Sequence, residues 1–240
     1  MKVLVTGASG RIGSQFVALR DAATFEVVRA DTHDATSDRV EQFLRLDVTD
    51  PSDCAEACRS MDAVLHLAAD PSPVADFRST VLPLNMVGTY NMVEAALATG
   101  VRRFVFASSA QAVVGYPLDH QARESDPPFP ANDYGVGKAF GEALCAASSL
   151  RGPTTFVSVR IGHFREQRPG PDLSLRDRMA WLSPRDAVQI LSLALTATIE
   201  GHAVVNAISD NAAKQLSLMQ TRRLLGYEPV DDAFATGSLD

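Results

Sequence analysis

The chain has 240 residues, 46% of them hydrophobic, which is enough for one substantial core. A formal net charge of -7 excludes nucleic-acid binding through a general basic surface. Three cysteines, with no CxxC pair and no Cys/His grouping at zinc-like spacing, exclude a disulfide framework and a zinc module; Cys54, Cys58 and Cys145 read as buried thiols of a reducing cytoplasm.

In chain order, "KVLVT" (2–6) is a short apolar, β-branched run ending in glycines and predicts a buried strand. A helix follows over 12–20, a second strand over 25–31 and a third over 43–47. Thr49-Asp50-Pro51 opens the next helix as a cap with proline in its first turn. A fourth strand covers 63–69, and a long helix over 80–99 stops at Gly100. A strand over 103–109, a helix over 132–150 and a strand over 154–162 come next. Beyond Gly162 the pattern changes to a polar loop, 163–178, with Pro169-Gly170-Pro171 and four arginines. Pro184 then opens a helix, 203–208 is a further strand, and a last helix covers 213–225. No internal repeat appears, and "MKVLVTGASG" has too short an apolar run for a signal peptide, so a cytoplasmic protein is expected. Strands alternating with helices predict an α/β, doubly wound parallel sheet of Rossmann type. Residues 1–162 form its dinucleotide-binding domain, and 163–240 a small substrate-binding cap too short to be independent.

The first strand runs into Gly7-Ala8-Ser9-Gly10-Arg11-Ile12-Gly13, a G-x-x-G-x-x-G pattern. Glycines there permit a tight turn and close approach of backbone to a pyrophosphate, with the next helix directing its first amides at the charge. Asp31, at the end of the second strand, is placed to accept hydrogen bonds from both ribose hydroxyls and to repel a 2′-phosphate. NAD is therefore favoured over NADP, although Arg11 and Arg29 leave the phosphorylated cofactor open.

Tyr134 and Lys138 stand four apart on one predicted helix and so share a face. Removing a hydride from a carbinol carbon requires taking the hydroxyl proton at nearly the same moment. A free phenol, with a pKa of ~10, is a poor match for neutral pH. A neighbouring ammonium and an oxidised nicotinamide would favour the phenolate. Tyr134 then acts as base, Ser109 donates to the substrate oxygen, and Lys138 also holds the nicotinamide ribose.

"TGASGRIG", "DV" at 47–48, "HLAA" at 66–69, "NMVGT" at 85–89, "SSA" at 108–110 and "YGVGK" at 134–138 together resemble the extended short-chain dehydrogenase/reductase family, in its order and over about the first 160 residues. The resemblance implies that Gly7, Gly10, Arg11, Ile12 and Gly13 hold the pyrophosphate and Asp31 the adenosine ribose. It also implies that Asp47 and Val48 flank the adenine, that Leu67, Ala68 and Ala69 line the cofactor channel, and that Ile161 lies near the nicotinamide. Asn85, Ser109, Tyr134 and Lys138 would form the catalytic group, with capping or kinking of its helix as the other role open to Asn85. His66 reads as packed rather than catalytic, Ser108 as support for the turn, and Asp186 as a helix-start residue holding the cap. The helices over 80–99 and 132–150 would pair two copies, as in the family's usual dimer.

The segment from "VRIG" through "DRMAWLSPRDA" to "LLGYEP" is similar to uronate dehydrogenases, which oxidise the anomeric hydroxyl of a hexuronic acid to a lactone with NAD. That similarity implies that Arg178 grips the substrate carboxylate by bidentate pairing. Ser72 would match another substrate contact. The subfamily's asparagine and histidine after the serine are replaced by Ala110 and Gln111, leaving Gln111 as the polar group there. The chain also lacks the longer C-terminal portion with which nucleotide-sugar enzymes hold their substrate. The sequence thus points to NAD-dependent oxidation of a small sugar or uronic acid. A sugar epimerase or dehydratase with bound NAD is the alternative, and a non-catalytic dinucleotide sensor a third.

Overall fold

A computed structural model describes residues 1–35 and 41–235. Among them, seven strands form one parallel sheet: β1 (Lys2–Thr6), β2 (Glu26–Asp31), β3 (Phe43–Arg45), β4 (Ala63–His66), β5 (Arg103–Ser109), β6 (Thr155–Ile161) and β9 (His202–Ala207), in the order β3-β2-β1-β4-β5-β6-β9. The order reverses between β1 and β4, so a crevice opens at their carboxyl ends, where ligands of such sheets bind. α1 (Arg11–Leu19), α2 (Pro51–Cys58), α3 (Gly88–Thr99), α4 (Asp133–Ser148) and α6 (Pro184–Thr196) cover the faces.

Alternating side chains of each strand serve opposite faces. Val3, Val5, Leu65, Val105, Val157 and Val205 pack with Phe16 and Val17 of α1 and Ile190 and Leu191 of α6. Leu4, Val28, Val64, Phe104 and Phe156 pack on the other face with Cys54 and Cys58 of α2, Met92 and Val93 of α3 and Cys145 of α4. The three thiols are free and buried as expected, and burial pushes each up to about 12.

Five features depart from the sequence expectations. β3 and β4 end at Arg45 and His66, before the predicted ends. The long helix begins as a π-helical segment, Phe77–Val87, and becomes α-helical only at Gly88. Within 163–178 lie β7 (His163–Phe164), which pairs with β8 (Trp181–Leu182), and the short helix α5 (Leu175–Met179). The last helix, α7, spans Met219–Leu225 rather than 213–225. The division at residue 162 does not follow the packing either. β9 completes the main sheet beside β6, and α6 fills the same apolar layer as α1. Asp186 fixes the segment that follows the last helix, its carboxylate accepting from the backbone nitrogens of Val230 at 3.0 Å and Asp231 at 3.1 Å. Among the described residues no helix is long and apolar enough to cross a membrane.

Candidate active site

The glycine loop leaves β1 at Gly7, whose φ of +66° lies in the left-handed region. A Cβ there would stand 2.8 Å from the Ala68 nitrogen, and one on Gly13 would collide with the Gly7 carbonyl oxygen. The loop thus folds back on itself and against the turn after β4. α1 starts at Arg11 with Gly10 as N-cap and, among the described residues, no side chain capping it. Its first amides remain available to an anion, which fits a dinucleotide pyrophosphate.

Asp31 ends β2 with one carboxylate oxygen accepting from Ser9 N at 2.9 Å and the other from Thr32 N at 2.8 Å. It lines a cavity of about 280 Å³ together with Asp47, Val48 and Ala68, a lining that fits an adenosine. Gly7, Gly10, Leu67 and Ala69 border both this cavity and a larger one of about 630 Å³, so the two meet over the glycine loop. Arg11, Ile12 and Gly13 border the larger one. Arg29 has no part in either: it is buried and paired with Asp34 at 2.7 Å.

Ser109 at the end of β5, Ile161 at the end of β6, and Tyr134 and Lys138 on α4 converge on the larger cavity. Asn132 caps α4 by accepting from Gly135 N at 2.8 Å, and this puts Tyr134 in the first turn. Lys138 is 5% exposed, donates to the Ala107 carbonyl at 2.7 Å, and holds its ammonium 5.5 Å from the Tyr134 ring centroid. Burial lowers its pKa to about 8. The Tyr134 phenol sits among opposing influences in the chain alone. Burial pushes its phenol upward, the Asp70 carboxylate adds to this, and the Ser109 hydroxyl and Arg11 only partly oppose it. The ammonium is aimed at the Ala107 carbonyl rather than the phenol oxygen, so it does not by itself make the phenol acidic.

His66 is packed, as expected. Its ring nitrogens meet Thr6 Oγ1 at 2.8 Å and Thr89 Oγ1 at 3.2 Å, and burial drives its pKa down to about 3. Ser108 donates to Glu142, consistent with a supporting role.

Three expected site residues are not among those that line the larger cavity. Asn85 is 2% exposed, and both ends of its amide are taken by the Asp70 main chain, which donates at 2.8 Å and accepts at 3.0 Å. These bonds tie it to the turn after β4. Ser72 sits between Pro71 and Pro73, which line the cavity, while its own hydroxyl accepts from Val74 N at 3.3 Å. Arg178 stacks on Phe234 with 4.4 Å from guanidinium carbon to ring centroid, and does not border the cavity. Positions two apart on a helix point roughly 200° apart, and on α5 it is Arg176 that faces inward. Arg176 donates to the carbonyls of Val114 at 3.1 Å and Tyr116 at 3.3 Å. Gln111 borders the cavity as expected. Sequence reasoning missed Asp70, Asn132, Arg176 and the His163–Asp177 pair at 3.3 Å. Only Asn132 had a local signal, an N-cap residue two positions before Tyr134.

Residues 3–165 match the model of the NAD dependent epimerase/dehydratase family. L-Arabinose 1-dehydrogenase (NAD(P)(+)) of Haloferax volcanii is 36% identical, covering 97% of this chain and 97% of the relative. NAD-dependent glucose-6-phosphate dehydrogenase of the same organism is 33% identical over 96% and 94% of the two chains. Among solved structures, a mutant of uronate dehydrogenase from Agrobacterium tumefaciens complexed with NAD superposes with a TM-score of 0.85 at 29% identity, covering 97% of this chain and 85% of that one. The glycine loop, the tyrosine–lysine helix and these matches lead to one conclusion: the chain belongs to the NAD-dependent epimerase/dehydratase family.

Proposed function

We propose that this protein is an NAD-dependent dehydrogenase that oxidises a hydroxyl, the anomeric one, of a small sugar or sugar acid. The observation that carries the proposal is the convergence of Tyr134, Ser109 and Lys138 on a cavity continuous with the glycine loop. Gly7, Gly10, Arg11, Ile12 and Gly13 hold the pyrophosphate, and Asp31, with Asp47 and Val48 nearby, holds the adenosine end. Asp31 favours NAD over NADP because a carboxylate at that place repels a 2′-phosphate. When bound, the oxidised nicotinamide supplies the hydride acceptor and a positive charge.

The chain's own groups handle the proton and the substrate. Ser109 Oγ accepts from Gln111 N at 3.1 Å and hydrogen-bonds the Tyr134 phenol, and with substrate bound its proton turns to the substrate oxygen. Tyr134 takes the proton of the reacting hydroxyl. The fixed Lys138 ammonium and the cofactor's charge together offset the burial that holds the phenol up. The two Haloferax volcanii relatives, matched over 97% and 94% of their own length, carry dehydrogenase names, which supports oxidation over epimerisation. Exposed Leu82, Val87, Tyr90 and Val136 on the π-helical segment, α3 and α4 support a homodimer through these helices. Light scattering that gives one chain's mass would remove that part.

The test is reduction of NAD with L-arabinose, D-glucuronate and D-glucose 6-phosphate, followed at the reduced-nicotinamide absorbance. Wild-type protein is expected to oxidise at least one of them to its lactone. Tyr134→Phe should lose ~100-fold or more in kcat while binding NAD normally. Absence of NAD reduction with every sugar, or a fully active Tyr134→Phe variant, would sink the proposal.

A further inference from the structure

Gln111 lies two residues beyond Ser109, in the 3-10 turn Ala110–Val113, and is one of the residues that line the larger cavity. The two ends of its amide are told apart by what surrounds them. Asn132, the N-cap of α4, uses both side-chain atoms: its oxygen accepts from Gly135 N at 2.8 Å, and its nitrogen donates to Gln111 Oε1 at 2.8 Å. With the oxygen engaged, Gln111 keeps its Nε2, for which no protein partner exists among the described residues. The main chain fastens the same unit. Gln111 N donates to Ser109 Oγ at 3.1 Å, and a Cβ on Gly135 would collide with the Gln111 carbonyl oxygen. The first turn of the tyrosine helix therefore rests directly on the Gln111 backbone.

We propose that Asn132 is a positioning residue that holds Gln111 with its amide nitrogen toward the cavity, so that the site reads an acceptor oxygen beside the carbon that loses hydride. The substrate class this selects is a cyclic sugar whose ring oxygen adjoins the reacting carbon. An ether oxygen accepts and never donates, so the nitrogen end of the amide serves it and the oxygen end cannot. A freely rotating glutamine would offer either end; the bond from Asn132 removes that choice. This inference rests on the dehydrogenase reading above and deepens it.

Two variants and one ligand pair test it. Asn132→Asp keeps an acceptor for the Gly135 amide and removes the donor to Gln111. Gln111→Met keeps the side-chain length and removes the amide. With whichever sugar of the panel wild type oxidises fastest, each single variant should raise KM on the order of tenfold, with the Kd for NAD, from calorimetry, within about twofold of wild type. The double variant should be no worse than Gln111→Met, since both changes remove one contact. Calorimetry also compares 1,5-anhydroglucitol, which has the ring oxygen and no reacting hydroxyl, with its carbocyclic counterpart. Wild type should prefer the former by on the order of tenfold, and Gln111→Met should bind both alike. The proposal is overturned by an unchanged KM in Gln111→Met. Full additivity of the two substitutions, a loss of NAD binding in Asn132→Asp, or equal binding of the two ligands by wild type would each overturn it too. The binding comparison needs no turnover, so a wild type that reduces no NAD sinks the dehydrogenase reading separately.

Discussion

Lys138 carries an ammonium into the core, 5% exposed, with the Ala107 carbonyl at 2.7 Å as its hydrogen-bond partner. Burial lowers its pKa from 10.5 to about 8, while the unfolded chain keeps the ordinary value. Between those two pH values the unfolded state binds a proton that the folded state has released, so stability rises with pH through the window. Below it the folded protein bears the full cost of the buried charge. Lys138→Met should therefore raise stability at neutral pH, by up to about 3 kcal/mol, while abolishing turnover. It should also remove the gain in stability that wild type shows as the pH rises from 8 towards 10.5. Thermal melts of both proteins across this range check the point; a lower Tm for the methionine variant at neutral pH would mean that the bond to Ala107 outweighs burial. Tyr134 and Lys138 were legible because their spacing is a property of one helix. Arg178 was not, because which of two neighbouring arginines faces inward depends on the phase of α5, a five-residue helix inside a stretch that reads as loop.

The tyrosine helix is set in place by a buried ion pair. Glu142, one turn beyond Lys138, takes two hydrogen bonds from Arg160 of β6, at 2.9 Å and 2.8 Å, and one from Ser108 of β5. Arg160 is 2% exposed and Glu142 5%. The pair ties α4 to the two strands whose ends carry Ser109 and Ile161. Glu142→Ala leaves the Arg160 charge buried without its carboxylate and should cost roughly 3–5 kcal/mol, read as a fall in the urea midpoint. A loss smaller than about 1 kcal/mol would place the pair among the energetically neutral ones. Preceding α3, the π-helical segment escaped sequence reading for a related reason. Pro83 lies within it, and Gly88 N bonds to the Pro83 carbonyl five residues back. Hydrophobic periodicity registers an apolar face but not the extra residue that widens one turn. That turn is what brings Asn85 against Asp70.

At the scale of the whole molecule, the sheet does not end at residue 162. β9 pairs with β6 along Phe156–Ile161, and α6 shares an apolar layer with α1. A chain cut after residue 162 would expose the β6 edge and strip Ile190, Leu191, Ala194 and Leu195 from that layer. It is expected to lack a cooperative thermal transition; a sharp melt from the fragment would restore the boundary read from the sequence. The sequence by itself determined the parallel sheet, the glycine loop, Asp31 at its strand end and the tyrosine–lysine face. Each of these is written in contiguous residues, where period, turn chemistry and helix spacing are local. The tertiary structure decided the rest: which side chains reach the cavity, that Asn85 and Arg178 do not, that Asn132 meets Gln111, and that burial opposes an acidic Tyr134. Those outcomes depend on which elements pack together and how much water they exclude, and neither quantity is local to any one segment.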